Sequence, residues 1–328
     1  YSYTFDAFGI PVKISGNWYD CLNNLDSWYK MPKLSSSQMA HFSMEISGAD
    51  IKEIDTRLPL PAEEFKIRGG VMIANQNFDF TTYAQEDRQW IDYKGAGRIM
   101  VDYAKGAAVS LMCSSAMHPT YQKILFCDYP LDKLLTSKDI FSLHASCAVV
   151  DGKGIAFTGD SGAGKSTAAF ILMQKGMPVL TDEKLYAFKK VNGYQAGAVS
   201  DIIKVNDDSV KKFFASHDSY HEYDVISGEH YLKLSGAKTS RWQNQAPLKA
   251  LCLFEQTGVP QTQITSVSPT KLAGGLFPVT ITGAGRKYKT AKFGFIMELM
   301  ETTECRLVKF GTDMDDFAEK IKELASRL

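Results

Sequence analysis

The feature that most constrains this sequence is a glycine-rich loop between a short apolar strand and a helix. Residues 159–167 read GDSGAGKST and match the pattern G-x-x-x-x-G-K-[ST] in full. The apolar run Ile155–Thr158 precedes the loop, and a helix is predicted over Ser166–Lys175, with Gly176 at its C′ position. This order of strand, loop and helix predicts an α/β fold with the loop at one edge of a sheet.

The residue types in this loop suit the phosphates of a nucleotide. Its glycines let successive backbone N–H groups point at one phosphate, and the helix N-terminus adds positive potential. In this pattern Lys165 reaches the β- and γ-phosphates, and the Ser166 hydroxyl suits Mg²⁺. The sequence therefore predicts ATP and Mg²⁺ as ligands. The predicted nucleotide contacts are Gly159, Asp160, Ser161, Gly162, Ala163, Gly164, Lys165, Ser166 and Thr167.

Two acidic residues follow the next predicted strand. The apolar run Pro178–Leu180 leads into Thr181, Asp182 and Glu183, one helix and one strand after the loop lysine. That connection returns Asp182 to the sheet edge that carries the loop, where a carboxylate can hold Mg²⁺ or accept a proton. The alternative interpretation is a solvated turn at the end of a strand, without chemistry.

The early position of these acids argues against two other classes of protein with such a loop. In transporter ATPases the acidic pair lies far downstream of a signature resembling LSGGQ, whereas the similar LSGAK at Leu234–Lys238 follows the acids here. Small-metabolite kinases have an early aspartate, but their chains begin with the loop and are much shorter. Here a long region precedes the loop.

That preceding region is predicted to be a β-rich domain over residues 1–125, followed by a second domain over residues 126–328. In residues 1–125, short alternating or aromatic-rich segments are separated by glycine and asparagine turns, and this pattern favours an antiparallel sheet. It contains no recognisable catalytic arrangement. The predicted strand segments are Tyr3–Ile14, His41–Ile46, Arg68–Ile73, Phe78–Tyr83, Trp90–Tyr93, Arg98–Tyr103 and Ala108–Cys113.

Composition and charge exclude several functional classes. Hydrophobic residues are 45% and charged residues 23% of the chain, which excludes wholesale disorder. Lys plus Arg and Asp plus Glu both number 37, whereas proteins that bind nucleic acid or acidic membranes usually carry a basic excess.

No apolar run approaches the roughly 20 residues of a membrane span, and no signal peptide is recognised. The six cysteines form no CxxC pair. We therefore expect a cytoplasmic protein with reduced thiols and neither a nucleic-acid nor a membrane partner.

The segment Leu143–Leu185 resembles HPr serine kinase/phosphorylase and its wider relatives, which share the phosphoenolpyruvate-carboxykinase-like nucleotide fold. Those proteins show a His-containing strand, a hairpin, a GxSGxGKS loop and a strand that ends in Asp-Asp. Here His144 and Asp182 stand at the corresponding places, and the DGKG sequence at Asp151–Gly154 predicts the hairpin. The resemblance implies a P-loop carboxykinase-like domain with a mixed sheet.

The same resemblance implies ATP-dependent phosphoryl transfer to a hydroxyl group of a protein serine or a small metabolite. Ser166 and Asp182 would hold Mg²⁺, while Glu183 or Asp182, oriented by His144, would take the proton of the acceptor. The segment PVTITGAGR resembles the family's glycine-arginine segment, in which Arg286 would steady charge on the transferring group. The implied partners are a nucleotide and a hydroxyl-bearing substrate, and a homo-oligomer is left open.

Two departures from the family pattern keep other functions open. Glu183 replaces the second aspartate of the pair, and the kinase's glutamate-arginine-glycine substrate segment has no counterpart. HPr itself is therefore not the expected substrate. One alternative is a catalytically inert ATP-binding or sensing module, and another is a carboxykinase-like enzyme that acts on a keto acid.

Individual candidates also have alternative interpretations. His144 on an apolar strand suits a core histidine, and Arg286 suits a solvated loop arginine. Arg241, in SRWQN, is a second candidate for the charge-stabilising role. The residues Asp313–Leu328 predict an amphipathic docking helix without chemistry. A polar segment with three histidines is interpreted as a solvated region rather than a metal site, because the spacing of His217, His221 and His230 matches no standard cluster.

Overall fold

The computed structural model describes residues 1–18, 22–35, 38–61, 66–73, 76–85, 87–113, 117–160, 162–206, 221–224, 229–233, 242–280 and 286–328. The chain forms two compact units, the first of Tyr1–Asp139 with Thr282–Lys292 and the second of Ile140–Ile281 with Phe293–Leu328. The boundary predicted after residue 125 lies within the first unit, in a helical stretch that packs on the sheet of that unit. The division into residues 1–125 and 126–328 stays a prediction.

The first unit contains a sheet of eight strands among its described residues, in the order β1-β2-β3-β8-β7-β6-β5-β4. The strands lie at the predicted segments, except that Tyr3–Ile14 forms two strands, β1 and β2, joined by a turn at Phe8 and Gly9 with positive φ angles. The expected antiparallel pairing is wrong at β3. That strand runs parallel to both β2 and β8. Residues 17–41 connect β2 to β3 and are numerous enough for the crossover that a parallel pair requires. The strands are β1 Ser2–Ala7, β2 Ile10–Gly16, β3 Phe42–Gly48, β4 Lys66–Ile73, β5 Gln76–Gln85, β6 Arg88–Tyr93, β7 Gly97–Asp102 and β8 Ala107–Met112.

Short helices accompany this sheet. They are α1 Leu25–Trp28, α2 Ile51–Arg57, α3 Pro119–Gln122, a π-helical turn Lys123–Asp128 and α4 Tyr129–Thr136. The leucines of α4 are fully buried, and the helix packs on β3, β7 and β8. The buried Asp128 carboxylate accepts hydrogen bonds from the Tyr29 hydroxyl and the Lys123 ammonium, each at 2.7 Å. This carboxylate therefore contributes to the packing of the first unit.

The second unit is a mixed α/β structure, as the sequence predicts. Its main sheet has the order β12-β10-β11-β18-β14-β13-β9, with β20 beside β18 and β19 beside β20, and a separate sheet has the order β15-β17-β16. The pairs β11–β18 and β18–β20 are parallel, so the main sheet is mixed. The strands are β9 Phe141–His144, β10 Ser146–Val150, β11 Lys153–Thr158, β12 Val179–Thr181, β13 Lys184–Lys190, β14 Gly193–Gly197, β15 Ile202–Asn206, β16 His221–Asp224, β17 Glu229–Lys233, β18 Gln245–Gln256, β19 Gln263–Ser266 and β20 Glu304–Phe310.

Helices cover both faces of the main sheet, because its central strands are apolar on both sides. The helices are α5 Lys165–Gln174, α6 Pro269–Thr280, α7 Arg286–Thr302 and α8 Met314–Arg327. Ile155 and Phe157 of β11 point to the layer of α5 and α8, whereas Ala156 points to the layer of α6 and the later part of α7. This alternation follows from the two-residue period of a strand. Among the described residues, none of the helices combines the length and apolar character needed to cross a membrane.

The hairpin that precedes the loop is confirmed. β10 pairs antiparallel with β11, and Val150 is the partner of Lys153. The two residues between them, Asp151 and Gly152, have φ angles of 51° and 74°. Two successive positive φ angles are the geometry of a type I′ turn, which favours Asp-Gly. The turn fixes the register in which β11 enters the loop.

The predicted helices of this unit are also confirmed, within a residue or two at their ends. At the end of α5, Gly176 has a φ of +81°, its N–H donates to the Met173 carbonyl, and the Met177 N–H donates to the Leu172 carbonyl. These two bonds form a Schellman motif. The helix α8 is capped by Asp313, whose side chain accepts from the N–H groups of Asp315 and Asp316 in the first turn. Its buried residues include Phe317, Ile321 and Leu324.

Replacement of Gly176 by alanine is expected to destabilise the protein by about 1–2 kcal/mol. A Cβ at this position meets no heavy atom within 4 Å, so the cost is the left-handed backbone conformation alone. Urea unfolding of the parent and variant measures the difference. Gly258→Ala is the matched control, because its Cβ also enters open space but no left-handed backbone conformation is present. Equal effects of the two substitutions would contradict this explanation.

Candidate functional site

The topology brings the glycine-rich loop and Asp182 to the same edge of the main sheet. β10 is antiparallel to both β11 and β12, so the last two run in the same direction. β11 leads into the loop at Gly159, and β12 leads into Asp182. The carboxyl ends of strands that run in one direction meet at one sheet edge, where ligands bind in α/β folds. The sequence-based placement of this acid is therefore confirmed.

The loop backbone has the curvature that the motif predicts. Gly159, Gly162 and Gly164 have φ angles of +144°, +80° and +96°. A Cβ on Gly159 would lie 2.9 Å from the Phe254 carbonyl oxygen, and one on Gly164 would lie 3.1 Å from the Phe310 ring. Neighbouring strands therefore press on the loop at both ends, while the Cβ position of Gly162 faces open space. Successive backbone turns of this kind form a concave arrangement of N–H groups that suits an anion.

The first turn of α5 has backbone donors that fit a phosphate. Its N-cap residue is Gly164, which has no side chain that could accept hydrogen bonds from the N–H groups of the first turn. The Lys165 ammonium donates to the carbonyl oxygens of Gly159 and Asp160, each at 2.9 Å, and thus lies across the start of the loop. Burial lowers the pKa of Lys165, and nearby carboxylates oppose that change. These groups could hold the phosphates of a nucleotide.

Asp182 is a buried carboxylate, with 4% of the residue surface exposed. One of its oxygens accepts the backbone N–H of Lys204 at 2.8 Å, and the Ser166 hydroxyl is near enough to act on the pKa of this carboxyl. Burial and the neighbouring Glu183 carboxylate raise the pKa of Asp182 to about 7. The Asp182 carboxylate thus lies at the sheet edge that carries the loop, where its role as a metal ligand stays a prediction.

Glu183 has a different environment, although it is the next residue. Its side chain is 50% exposed, and its carboxylate forms an ion pair with the Lys204 ammonium at 2.6 Å. Burial acts to raise the pKa of Glu183, but the Lys204 ammonium outweighs it, so the pKa lies below its ordinary value. Because the pair is partly exposed, it contributes at most about 1 kcal/mol to folding. Glu183 is therefore ionised at neutral pH and accessible to solvent.

His144 lies close to Glu183, at the end of a strand that precedes the hairpin. It ends β9, a separate strand that pairs with β13 and sets His144 opposite Lys184, rather than beginning the hairpin strand. Burial and the Lys165 ammonium lower the pKa of His144, against the opposing effect of Glu183. A direct bond from His144 to either carboxylate stays a prediction.

Lys204 is the residue of this cluster that sequence reasoning missed. It lies on β15, within the sequence IIKVN, and contacts both Asp182 and Glu183. A single charge between apolar residues of a strand is the signal that could have drawn attention to it. That signal does not indicate which residues the charge meets, because β15 belongs to a separate sheet and its contact with the acids is a tertiary one.

Other predicted site residues fall partly or wholly outside the described residues. Ser161, Arg241 and His217 lie outside them, and so do the side chains of His221 and Arg286. The backbone of Arg286 begins helix α7 rather than lying in a loop, which corrects that part of the prediction. Its role and that of Arg241 stay predictions.

The residues present could hold Mg²⁺ only together with a bound nucleotide. Within the described part of the chain, no group of three or more His, Cys, Asp or Glu side chains could coordinate an ion. Ser166 and Asp182 offer two oxygen ligands, and Mg²⁺ normally completes such a set with water and phosphate oxygens. The donor set thus fits a metal that arrives with ATP.

Comparisons with known proteins add a distant structural relationship. No family model matches the chain, and no curated protein matches it in sequence. Among solved structures, the chain is similar to the HPr(Ser) kinase/phosphatase from Coxiella burnetii, with 12% identity and a TM-score of 0.29. The alignment covers 57% of this chain and 95% of that chain. At this TM-score, the chemistry of the site must be argued from its own residues.

The raised pKa of Asp182 predicts a pH-dependent effect of Asp182→Asn in the absence of nucleotide. A carboxyl with a pKa near 4 in the unfolded chain and about 7 in the fold contributes stability below pH 4. That contribution is lost as the pH rises through 7. Asparagine stays neutral and can still accept the Lys204 N–H, so the Tm of the variant should increase relative to the parent from pH 5 to pH 8.

Thermal unfolding in a series of buffers measures this Tm difference. Asp315→Asn, which removes an exposed carboxylate from α8, controls for the loss of one negative charge. A Tm difference for Asp182→Asn that is constant with pH, or that falls as the pH rises, would contradict the assignment.

Proposed function

We propose that this protein catalyses ATP-dependent phosphoryl transfer to a hydroxyl group. The observation that carries the proposal is that β11 and β12 run in the same direction and bring the glycine-rich loop and the buried Asp182 carboxylate to one sheet edge. Phosphoryl transfer depends mainly on positioning and on neutralising charge. The loop amides, a lysine, a hydroxyl and two differently tuned carboxylates supply those functions within one small region.

Each residue has a separate role in the proposed reaction. Lys165 and the loop amides bind the β- and γ-phosphates, and Ser166 and Asp182 are the ligands for Mg²⁺. The bound metal neutralises charge on the phosphate oxygens. Glu183 is ionised and half exposed, so its carboxylate can approach the acceptor hydroxyl and take its proton. His144 is proposed to orient the Glu183 carboxylate, and Arg286 is proposed to steady charge on the transferring group.

The acceptor class remains that of the sequence-based proposal: a protein serine or a small hydroxyl metabolite. Both fit a carboxylate that is open to solvent on one side. Water can take the place of the hydroxyl at low rates in such sites, so hydrolysis of ATP provides an assay that does not require the acceptor.

The proposed function is tested with the full chain, Mg²⁺ and ATP. Isothermal titration calorimetry should detect binding of Mg-ATP, and a coupled assay should detect slow release of ADP. The same reaction without Mg²⁺ is the control for metal dependence. Absence of measurable Mg-ATP binding would refute the proposal.

A second candidate is an inert ATP-binding module. The observation that favours it is the ion pair of Glu183 with Lys204, since a carboxylate held by an ammonium is a weaker base. Such a module binds Mg-ATP and releases it unchanged. Binding without release of ADP above the protein-free control, together with no transfer of label from [γ-³²P]ATP to added serine peptides or sugars, would favour this candidate.

A further inference from the structure

Lys204 contacts both acids of the site through two different groups. Its backbone N–H donates to the Asp182 carboxylate at 2.8 Å, and its ammonium lies 2.6 Å from the Glu183 carboxylate. Its side chain is 25% exposed, compared with 50% for Glu183. One residue thus holds two adjacent carboxylates that have different environments.

Without such contacts, the carboxylates of two adjacent acidic residues have no reason to keep fixed positions. Two negative charges on adjacent residues repel each other, and a half-exposed glutamate has several rotamers available. The Lys204 ammonium draws the Glu183 carboxylate to one side, while the Lys204 backbone N–H holds the Asp182 carboxylate at the sheet edge. Strand pairing fixes the position of Lys204 itself, because β15 is paired with β17.

We propose that Lys204 is a positioning residue that holds Asp182 toward the loop and Glu183 toward the acceptor. The inference rests on the proposed phosphoryl transfer, for which the two acids need separate places. In this proposal Lys204 acts through the two acids, which it contacts directly. Its side chain should therefore affect turnover much more than the affinity for ATP.

The test compares the full-length parent with Lys204→Met and Lys204→Arg. Methionine keeps the length of the side chain but removes its charge. We expect Lys204→Met to reduce kcat for Mg-dependent ATP hydrolysis by about 10–100-fold, as for other partners that orient catalytic ligands. The KM for ATP and the Kd for Mg-ATP should change less than about 3-fold by the same reasoning. Lys204→Arg restores the charge and should recover most of the lost rate.

Lys189→Met is the matched control. Lys189 lies on β13 and forms a comparable, partly exposed ion pair with Glu298 on α7. Its loss should leave kcat unchanged, while the Tm of both methionine variants should fall by no more than about 2–4 °C. A loss of rate confined to the position of Lys204 separates positioning from a general effect on folding.

A measurement without nucleotide examines the ion pair between Lys204 and Glu183 directly. Carbodiimide and a glycine ester label accessible carboxylates, and mass spectrometry identifies the labelled residue. Glu183 should be labelled faster in Lys204→Met than in the parent or in Lys189→Met, because its partner is absent. Equal labelling of Glu183 in all three proteins would show that the ion pair does not hold this carboxylate, and would overturn the proposal.

A double substitution decides whether Lys204 acts through Glu183. In a Glu183→Gln background, Lys204→Met should cause little further loss of kcat, since the group it positions has already been removed. Full additivity of the two losses, or an unchanged kcat in Lys204→Met alone, would overturn the proposal. If the parent itself neither binds nor hydrolyses ATP, the proposed function has failed instead, so the two failures are distinguishable.

Discussion

Replacement of Lys165 by alanine is expected to abolish the thermal stabilisation of the protein by Mg-ATP. The Lys165 ammonium lies across the start of the loop, where it can reach bound phosphates. A ligand present at 100 times its Kd stabilises the fold by about 2.7 kcal/mol. For a unit of this size that corresponds to a rise in Tm of roughly 5–10 °C. Differential scanning fluorimetry with and without Mg-ATP measures the shift.

Lys175→Ala is the control for the loss of a lysine from the same region. Lys175 is the C-cap residue of α5, at the opposite end from the loop, and it pairs with Asp315. This variant should keep the full nucleotide-dependent shift. If Mg-ATP stabilises Lys165→Ala as much as the parent, the loop does not bind the phosphates and the assignment of the site is wrong.

Glu183→Gln is expected to leave Mg-ATP binding nearly intact and to reduce turnover by about 10²–10⁴-fold, the usual cost of losing a general base. The amide has almost the same shape as the carboxylate but cannot take a proton from the acceptor. Calorimetry measures binding, and the release of ADP measures turnover. Glu298→Gln, at an exposed glutamate that pairs with Lys189, should retain full activity.

Asp182→Asn gives the complementary result, because Asp182 is the proposed metal ligand. This variant should weaken the dependence of ATP binding on Mg²⁺. A fully active Glu183→Gln, together with an Asp182→Asn that binds Mg-ATP normally but does not turn over, would exchange the roles of the two acids.

The elements around the loop were predictable because their signals are local. The Asp-Gly turn, the positive-φ glycines and Gly176 each set the conformation of a few neighbouring residues. The return of Asp182 to the loop edge followed from the length of one helix and one strand. These features need no information about distant parts of the chain.

The features that could not be predicted depend on contacts between distant segments. The direction of β3 is set by which strands it joins, and the alternating pattern of a strand does not encode its partner. The strand that ends at His144, β9, pairs with β13 about forty residues later, and the sequence of β9 does not encode that partner. Lys204 reaches the acids from a separate sheet, so its sequence neighbours give no indication of that contact.

The pairing of β11 with β18 has a consequence for the order in which the chain acquires its site. The strand that leads into the loop joins a partner almost a hundred residues later, and that partner in turn joins β20 near the C-terminus. Gly159 is pressed by Phe254 of β18, and Gly164 lies against Phe310 of β20. Such distant pairings form slowly and late. A ribosome must therefore synthesise the chain as far as β20 before the loop has both of the strands that press on it, and a nascent chain that has only just produced the loop lacks these neighbours.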